Sequence, residues 1–218
     1  MILTCSKLDL NAYTARQVNH LLPFKRKVTA QRVSRSAGMA LDRLEHCFRH
    51  IAHPHYSDGT QARFDPLHSD QYCHFLFFLS WQAYTDAQDE DLAKRLFYLN
   101  KILHAFNCMY DTALPDVFWL IHVVGTVLGK ARYRNHLVVR QNCTVGAIRG
   151  DYPDLGNGLI LSANTSVIGR CRIGQNVMLG PGCTLVNENV PDNTLVLRNP
   201  KIICKPNSER ALSTHFYH

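Results

Sequence analysis

The stretch Leu155-GNGLI-Leu161-SANTS-Val167-IGRCR-Ile173-GQNVM-Leu179-GPGCT-Leu185 places an aliphatic residue at every sixth position. Glycine follows that residue at Gly156, Gly174 and Gly180. Upstream the rhythm continues through Ile121, Val127, Tyr133, Val139 and Val145, with Gly146 again in second place. A period of six is neither the 2.0 of a strand nor the 3.6 of a helix. Self-similarity of this kind builds β-helical solenoids. Two residues before the aliphatic positions stand Gly125, Ala131, Cys143, Thr165, Cys171, Val177 and Cys183. These are mostly small, as expected where three flat strands meet at a triangular corner; Leu137 and Leu159 fit the column less well. Eighteen residues then make one coil, and the eleven units make between three and four coils, each burying its ladder against the next. Between Val145 and Leu155 the spacing is ten. Four extra residues must leave the solenoid within 148–154, and insertions in repeat arrays often line a binding face. The rhythm stops after Leu185, and Pro191 and Pro200 mark the exit.

Residues 1–108 show no six-residue period. Segments 36–51, 69–84 and 89–106 carry helical spacing; in the last, Leu92, Leu96, Leu99, Ile102, Leu103 and Phe106 form an apolar stripe. The chain therefore reads as an α+β protein: a helical N-terminal domain (1–108), a parallel β-helix domain (109–206) and a C-terminal tail (207–218). The eight cysteines include no C-x-x-C pair, and three of them occupy the small inward column, where cysteine acts as a small hydrophobe. With no secretory signal and no long apolar span, a reduced, cytoplasmic setting is expected. His46, His50, His53 and His55 cluster, with His68 and His74 further on. No carboxylate stands among them and Pro54 breaks any helix, so no metal site is expected. The net charge is +7, but the basic residues are spread out and not interleaved with aromatics. That argues against nucleic acid and leaves room for a polyanionic small ligand.

The element His122-Val-Val-Gly125-Thr-Val-Leu-Gly129, the hexads beside it and the closing Asn199-Pro200-Lys-Ile-Ile-Cys-Lys205-Pro206 resemble the serine O-acetyltransferase family. The resemblance covers roughly residues 107–206. It implies a left-handed β-helix behind a helical domain, and transfer of acetyl from acetyl-CoA to a hydroxyl. It also implies that His122 is the base. A hydroxyl attacks a thioester poorly, and an imidazole that removes its proton during attack is typically worth about 10²–10⁴-fold. The family orients its base with an upstream aspartate; here Asp111 is the first choice and Asp116 the second. Coenzyme A is expected in the groove between adjacent solenoids, along Ala147, Ala163 and Pro181, with Arg198, Lys201 and Lys205 meeting its phosphates.

The departures from the family pattern bear on the acceptor. The family's D-R-H-P loop element reads Gly150-Asp151-Tyr152-Pro153 here, so Asp151 and Tyr152 stand in the places of its arginine and histidine. The residue before His122, acidic in the family, is Ile121. An amino-acid acceptor needs partners for its ammonium and carboxylate. The loss of these charges points to another hydroxyl, and the stretch 114–146 also resembles family members from bacterial surface-polysaccharide gene clusters. The expected function is acetyl-CoA-dependent O-acetylation of a sugar or glycan precursor, with serine O-acetylation as the alternative. A metal-dependent β-helix lyase would need three histidine ligands, and the solenoid offers only His122 and His136 before its end. A non-catalytic scaffold is the remaining reading. The resemblance further implies a homotrimer with sites shared between neighbours; pairing of two trimers through the helical domains is the open alternative.

Overall fold

The computed structural model describes residues 1–199, 201–207 and 211–217, excepting the side chains of 199, 201, 202, 211 and 212. The first half holds β1 (Ile2–Leu3), α1 (Lys7–Leu21), α2 (Ala30–Arg49), β2 (Arg63–Phe64), α3 (Ser69–Thr85) and α4 (Glu90–His104). Each helix opens on a side chain that accepts from an N–H in its first turn: Ser6, Thr29, His68 and Asp89. α3 is buried nearly all round, with Phe75 to Leu79 in the core, so it is the central helix, packed between α2 and α4. α3 and α4 lie where helical spacing predicts them, and α2 starts six residues before 36. α1 goes unannounced in the sequence because its buried side is Leu10, Asn11, Thr14, Ala15 and Val18, too polar to read as a stripe.

From Phe118 the chain winds as a parallel solenoid of about four coils with three faces. Face one stacks β3 (Phe118–Leu120), β5 (Leu137–Val139), β8 (Ile160–Leu161), β11 (Met178–Leu179) and β13 (Thr194–Asn199). Face two stacks β4 (Val127–Leu128), β6 (Thr144–Gly146), β9 (Ser166–Ile168) and β12 (Thr184–Val186). Face three pairs β7 (Asp154–Leu155) with β10 (Arg172–Ile173) and is extended by bridges from Arg132 to Asp154 and from Ile173 to Val190. β14 (Lys201–Pro206) folds back antiparallel on β13. The corners turn through left-handed residues. Gly125, Asn142, Asn164 and Gly182 form the corner between faces one and two; Gly169 and Asn187 belong to the second corner; His136, Gly158, Asn176 and Asn193 form the third. Asparagine tolerates this conformation, and its amides stack from coil to coil, Asn142 Nδ2 donating to Asn164 Oδ1 at 3.1 Å and Asn176 Nδ2 to Asn193 Oδ1 at 2.8 Å.

From Val139 to Leu185 the aliphatic column is buried, and Cys143, Thr165, Cys171, Val177 and Cys183 fill the small inward column. The first coil departs from the six-residue register. Leu120, not Ile121, pairs with Val139, and Leu128, not Val127, pairs with Val145. Val127 points outward, 37% exposed. The extra residues are taken up in a tight turn, where Val124 N–H donates to His122 O and Thr126 N–H to Val123 O. The four-residue excess after Val145 is likewise a tight turn: Ile148 and Asp151 exchange two backbone hydrogen bonds across Arg149 and Gly150, both at positive φ.

The closing residues are not a free tail. Asn207 N–H donates to Asn193 O and its side-chain amide to Asn176 O, so the chain climbs the third corner. After α5 (Ala211–Thr214), Phe216 packs on the His136 ring and bridges Ile51. Ala52 N–H donates to His215 O, and Tyr217 N–H to His50 O. The segment is a strap that ties the top of the solenoid to the helical half. Pro200 and residues 208–210 and 218 lie outside the described residues.

Candidate functional site

β3 is the uppermost strand of face one, and among the described residues no further strand pairs with its outer edge. A bare edge is a liability, and side chains from the helices cover it. Phe118 N–H lies 3.5 Å from Cys47 Sγ, whose S–H donates to Phe118 O at 3.1 Å. Leu120 N–H donates to His74 Nε2 at 3.2 Å, and His122 N–H donates to Asp70 Oδ2 at 2.9 Å. The match is geometric. One turn of α3 separates Asp70 from His74 by about 6 Å of rise, and two strand residues separate Leu120 from His122 by about 6.6 Å. His74 Nδ1–H donates to Asp70 O at 2.7 Å, so its ring accepts at Nε2 as a neutral imidazole. Complete burial, which pushes its pKa down to about 4, keeps it neutral.

His122 sits at the first corner with φ +51, and its side chain is 79% exposed. It points outward because it stands at the corner two residues past the inward Leu120. Its Nδ1 lies 3.6 Å from Asp70 Oδ2. Asp70 is buried and belongs to the first turn of α3, where the helix dipole favours a carboxylate. The imidazole therefore has one nitrogen toward a buried carboxylate and the other toward open solvent, the arrangement a general base requires. Beneath, His104 holds Asn100 Oδ1 at 2.6 Å. Burial pushes its pKa down to about 4 against the opposing charge of Asp70.

Neither aspartate expected beside the base is there. The chain at 105–107 crosses above β4, with Leu128 N–H donating to Asn107 O. Asp111 therefore emerges at the far end of β4 and pairs with Lys130 Nζ at 3.0 Å. Asp116 lies 3.6 Å from Arg43 on α2. The carboxylate beside His122 comes instead from 52 residues upstream. The signal for it was a run of polar residues, Ser69 to Gln71, opening an otherwise apolar helix.

Of the residues assigned to coenzyme A, Ala163 and Pro181 stack in one column at the corner headed by His122. Asn142 N–H donates to Val124 O, Asn164 N–H to Gln141 O and Gly182 N–H to Ala163 O. Ala147 lies at the second corner, beside the Gly146–Gly169 bond, so it flanks the opposite edge of face two. Arg198 and Lys205 are exposed, but they do not meet. In the β13–β14 register Arg198 faces Ile202 and Leu195 faces Lys205, which puts the two cations on opposite sides of the ribbon. The side chain of Lys201 lies outside the described residues. Asp151 and Tyr152 are exposed in the turn at the second corner, at the other edge of face two from His122.

Among the N-terminal histidines, His53 and His68 pack on Tyr56, His53 also lies against Trp119, and the exposed His55 ring sits between His53 and His68. Among the described residues no group of three His, Cys, Asp or Glu side chains is placed to hold a metal. None of the described helices is long and apolar enough to cross a membrane.

No protein-family model matches the chain. Over 94 residues it is 30% identical to a serine acetyltransferase of Staphylococcus xylosus, covering 41% of this chain and 43% of that protein. Over 110 residues it is 24% identical to a serine acetyltransferase of Synechococcus elongatus, covering 48% of this chain and 45% of that protein. The match thus spans less than half the length of these curated relatives. Among solved structures, serine acetyltransferase from Brucella abortus superposes with a TM-score of 0.71 at 18% identity, over 93% of this chain and 85% of that one. That of Neisseria gonorrhoeae gives 0.67 at 20%, over 93% and 80%. A serine acetyltransferase in complex with CoA gives 0.66 at 14%, over 87% and 82%. The chain shares their fold, helical half and solenoid together.

Proposed function

We propose that the chain is an acetyl-CoA-dependent O-acetyltransferase in which His122 is the general base and Asp70 its orienting carboxylate. The observation that carries this reading is the exposed His122 ring with Nδ1 set 3.6 Å from a buried carboxylate. Nε2 takes the proton of the acceptor hydroxyl as its oxygen attacks the thioester carbonyl carbon. The tetrahedral intermediate then expels the thiolate, which receives that proton from the imidazolium. The column through Ala163 and Pro181 offers an edge at about 4.8 Å per coil, along which an extended pantetheine arm would lie with its sulfur near His122. Acetyl-CoA as co-substrate and eight free cysteines support a reducing, cytoplasmic setting.

The named relatives are serine acetyltransferases, which supports serine over a sugar as acceptor. One observation keeps the sugar as second reading. Ile121 is buried and uncharged beside His122, and Tyr152 stands where the family carries a histidine. The test is thiol release from acetyl-CoA with serine, free sugars and nucleotide-sugars in parallel. Turnover on serine alone sustains the first reading, turnover on a sugar alone the second, and turnover unaffected by His122→Ala overturns both.

His122 and the Asp151–Tyr152 turn lie at opposite edges of face two, so one chain does not bring them together. We infer a homotrimer in which the turn of one copy completes the site headed by His122 of the next, leaving the helical halves free to pair two trimers.

A further inference from the structure

We propose that the cleft between the first turns of α2 and α4 is a binding site for a small phosphate-bearing anion, separate from the His122 corner. The cleft measures about 610 Å³, room for a nucleotide-sized group. Two helices of 20 and 15 residues begin at its walls. The N–H groups of residues 30, 31, 90 and 91 are first-turn donors with no intrahelical acceptor, and they bring the positive ends of both dipoles to one place. Arg26, Lys27 and Arg35 line the same cleft, are exposed, and make no ion pair among the described residues.

The cleft also contains three carboxylates, which would repel an anion if they were uncommitted. All three are engaged. Asp89 accepts from Arg32 Nε at 2.7 Å and from Arg32 Nη2, and also caps Leu92 N–H. Asp91 accepts from Arg32 Nη2 at 2.9 Å and from Arg95 Nε at 3.2 Å. Glu90 pairs with Lys94 Nζ at 2.9 Å. Lys27 and Arg35 therefore remain uncommitted, while the Asp89 pKa, lowered first by Arg32, is lowered further by Arg26 acting through space.

The floor supplies an independent sign. Ser36 is fully buried and its hydroxyl has no hydrogen-bond partner, and the Nη1 of the largely buried Arg32 is likewise unpartnered. Both residues line the cleft. A buried donor left unmade costs about 1–3 kcal/mol; both atoms are closed to solvent in the free chain, and a small turn of each side chain toward a phosphate oxygen on this floor would give it an acceptor. Charge-assisted bonds of this kind are the strong ones.

The experiment is calorimetric titration of the full chain at fixed ionic strength, since such binding is screened by salt. The probes are inorganic phosphate, pyrophosphate and ADP, with sodium chloride as control. Saturable binding of pyrophosphate or ADP is expected in wild type and in His122→Ala. Affinity should fall by about tenfold or more in the double variant Lys27→Gln/Arg35→Gln, whose exposed positions leave folding intact. Ser36→Ala checks the floor and should weaken binding without lowering the melting temperature of the free chain. Absence of saturable binding for all three probes overturns the proposal. So does binding that persists in the double variant, or binding that disappears in His122→Ala.

Discussion

His122 carries its ring into solvent, so its orientation rests on the two contacts that Asp70 makes, one to the backbone N–H and one to the imidazole. Replacing His122 by alanine should lower kcat by about 10²–10⁴-fold while the far-ultraviolet circular dichroism and melting temperature stay at wild-type values. Asp70→Asn keeps an oxygen for the N–H but removes the charge facing the ring. Its kcat should fall roughly 10²-fold, the scale of a misplaced catalytic group, with KM for acetyl-CoA unchanged. Asp111→Asn and Asp116→Asn should leave kcat near wild type, since their partners are Lys130 and Arg43. A large loss in Asp111→Asn beside a silent Asp70→Asn would return the orienting role to the solenoid.

α3 is the element that joins the two halves, and its docking is sensitive to pH. His74 and His104 titrate near 6.5 in an unfolded chain and at about 4 in the folded one, both through burial. Between these values the unfolded state binds more protons, so stability rises with pH in that window and is lost as pH falls from about 6.5 toward 4. The loss for His74 alone is on the order of 3 kcal/mol. Urea midpoints measured between pH 7 and 4.5 should decline, and His74→Gln, which keeps an acceptor but no longer titrates, should flatten the decline. Midpoints that do not move with pH would contradict this account.

The solenoid and helix elements also make opposite demands on glycine. A Cβ at Gly156 would come within 2.1 Å of Gly174 O, a backbone atom of the next coil, so Gly156→Ala should cost about 1–3 kcal/mol or more. At Gly38, inside α2, a Cβ meets nothing within 4 Å, and Gly38→Ala should stabilise by about 0.5–1 kcal/mol. Chemical denaturation of the two variants side by side checks the sign of each.

In the whole molecule the C-terminal strap closes a circuit: helical half, solenoid from top to bottom, and back up the third corner to the helical half. Phe216 is its anchor, buried between Ile51 and His136. Phe216→Ala should cost about 3–5 kcal/mol, seen as a lowered melting temperature. The shared-site trimer makes a different prediction. His122→Ala and a double variant Asp151→Ala/Tyr152→Ala should each be inactive alone. Co-expressed, they should regain part of wild-type turnover through mixed interfaces that carry one intact site. Persistent inactivity of the mixture, or a monomer by light scattering, would count against the shared site.

The sequence by itself determined the solenoid, because a six-residue period needs only neighbouring coils to satisfy it. The buried ladder from Val139 to Leu185, the inward cysteines and the extruded turn at 148–151 all follow from local spacing. Two of the four helices were legible in place for the same reason, α3 and α4 carrying unbroken apolar patterns. What spacing does not encode is which distant group meets which edge. The register of the first coil slips because the helices, not another coil, cover β3. The carboxylate beside His122 arrives from α3 because a helical turn matches the rise of two strand residues. The strap at Phe216 and the opposed cations Arg198 and Lys205 likewise depend on contacts and pairing between segments far apart in the chain. Those choices were made by the tertiary structure, where satisfying an open sheet edge outweighs any preference the local sequence expresses.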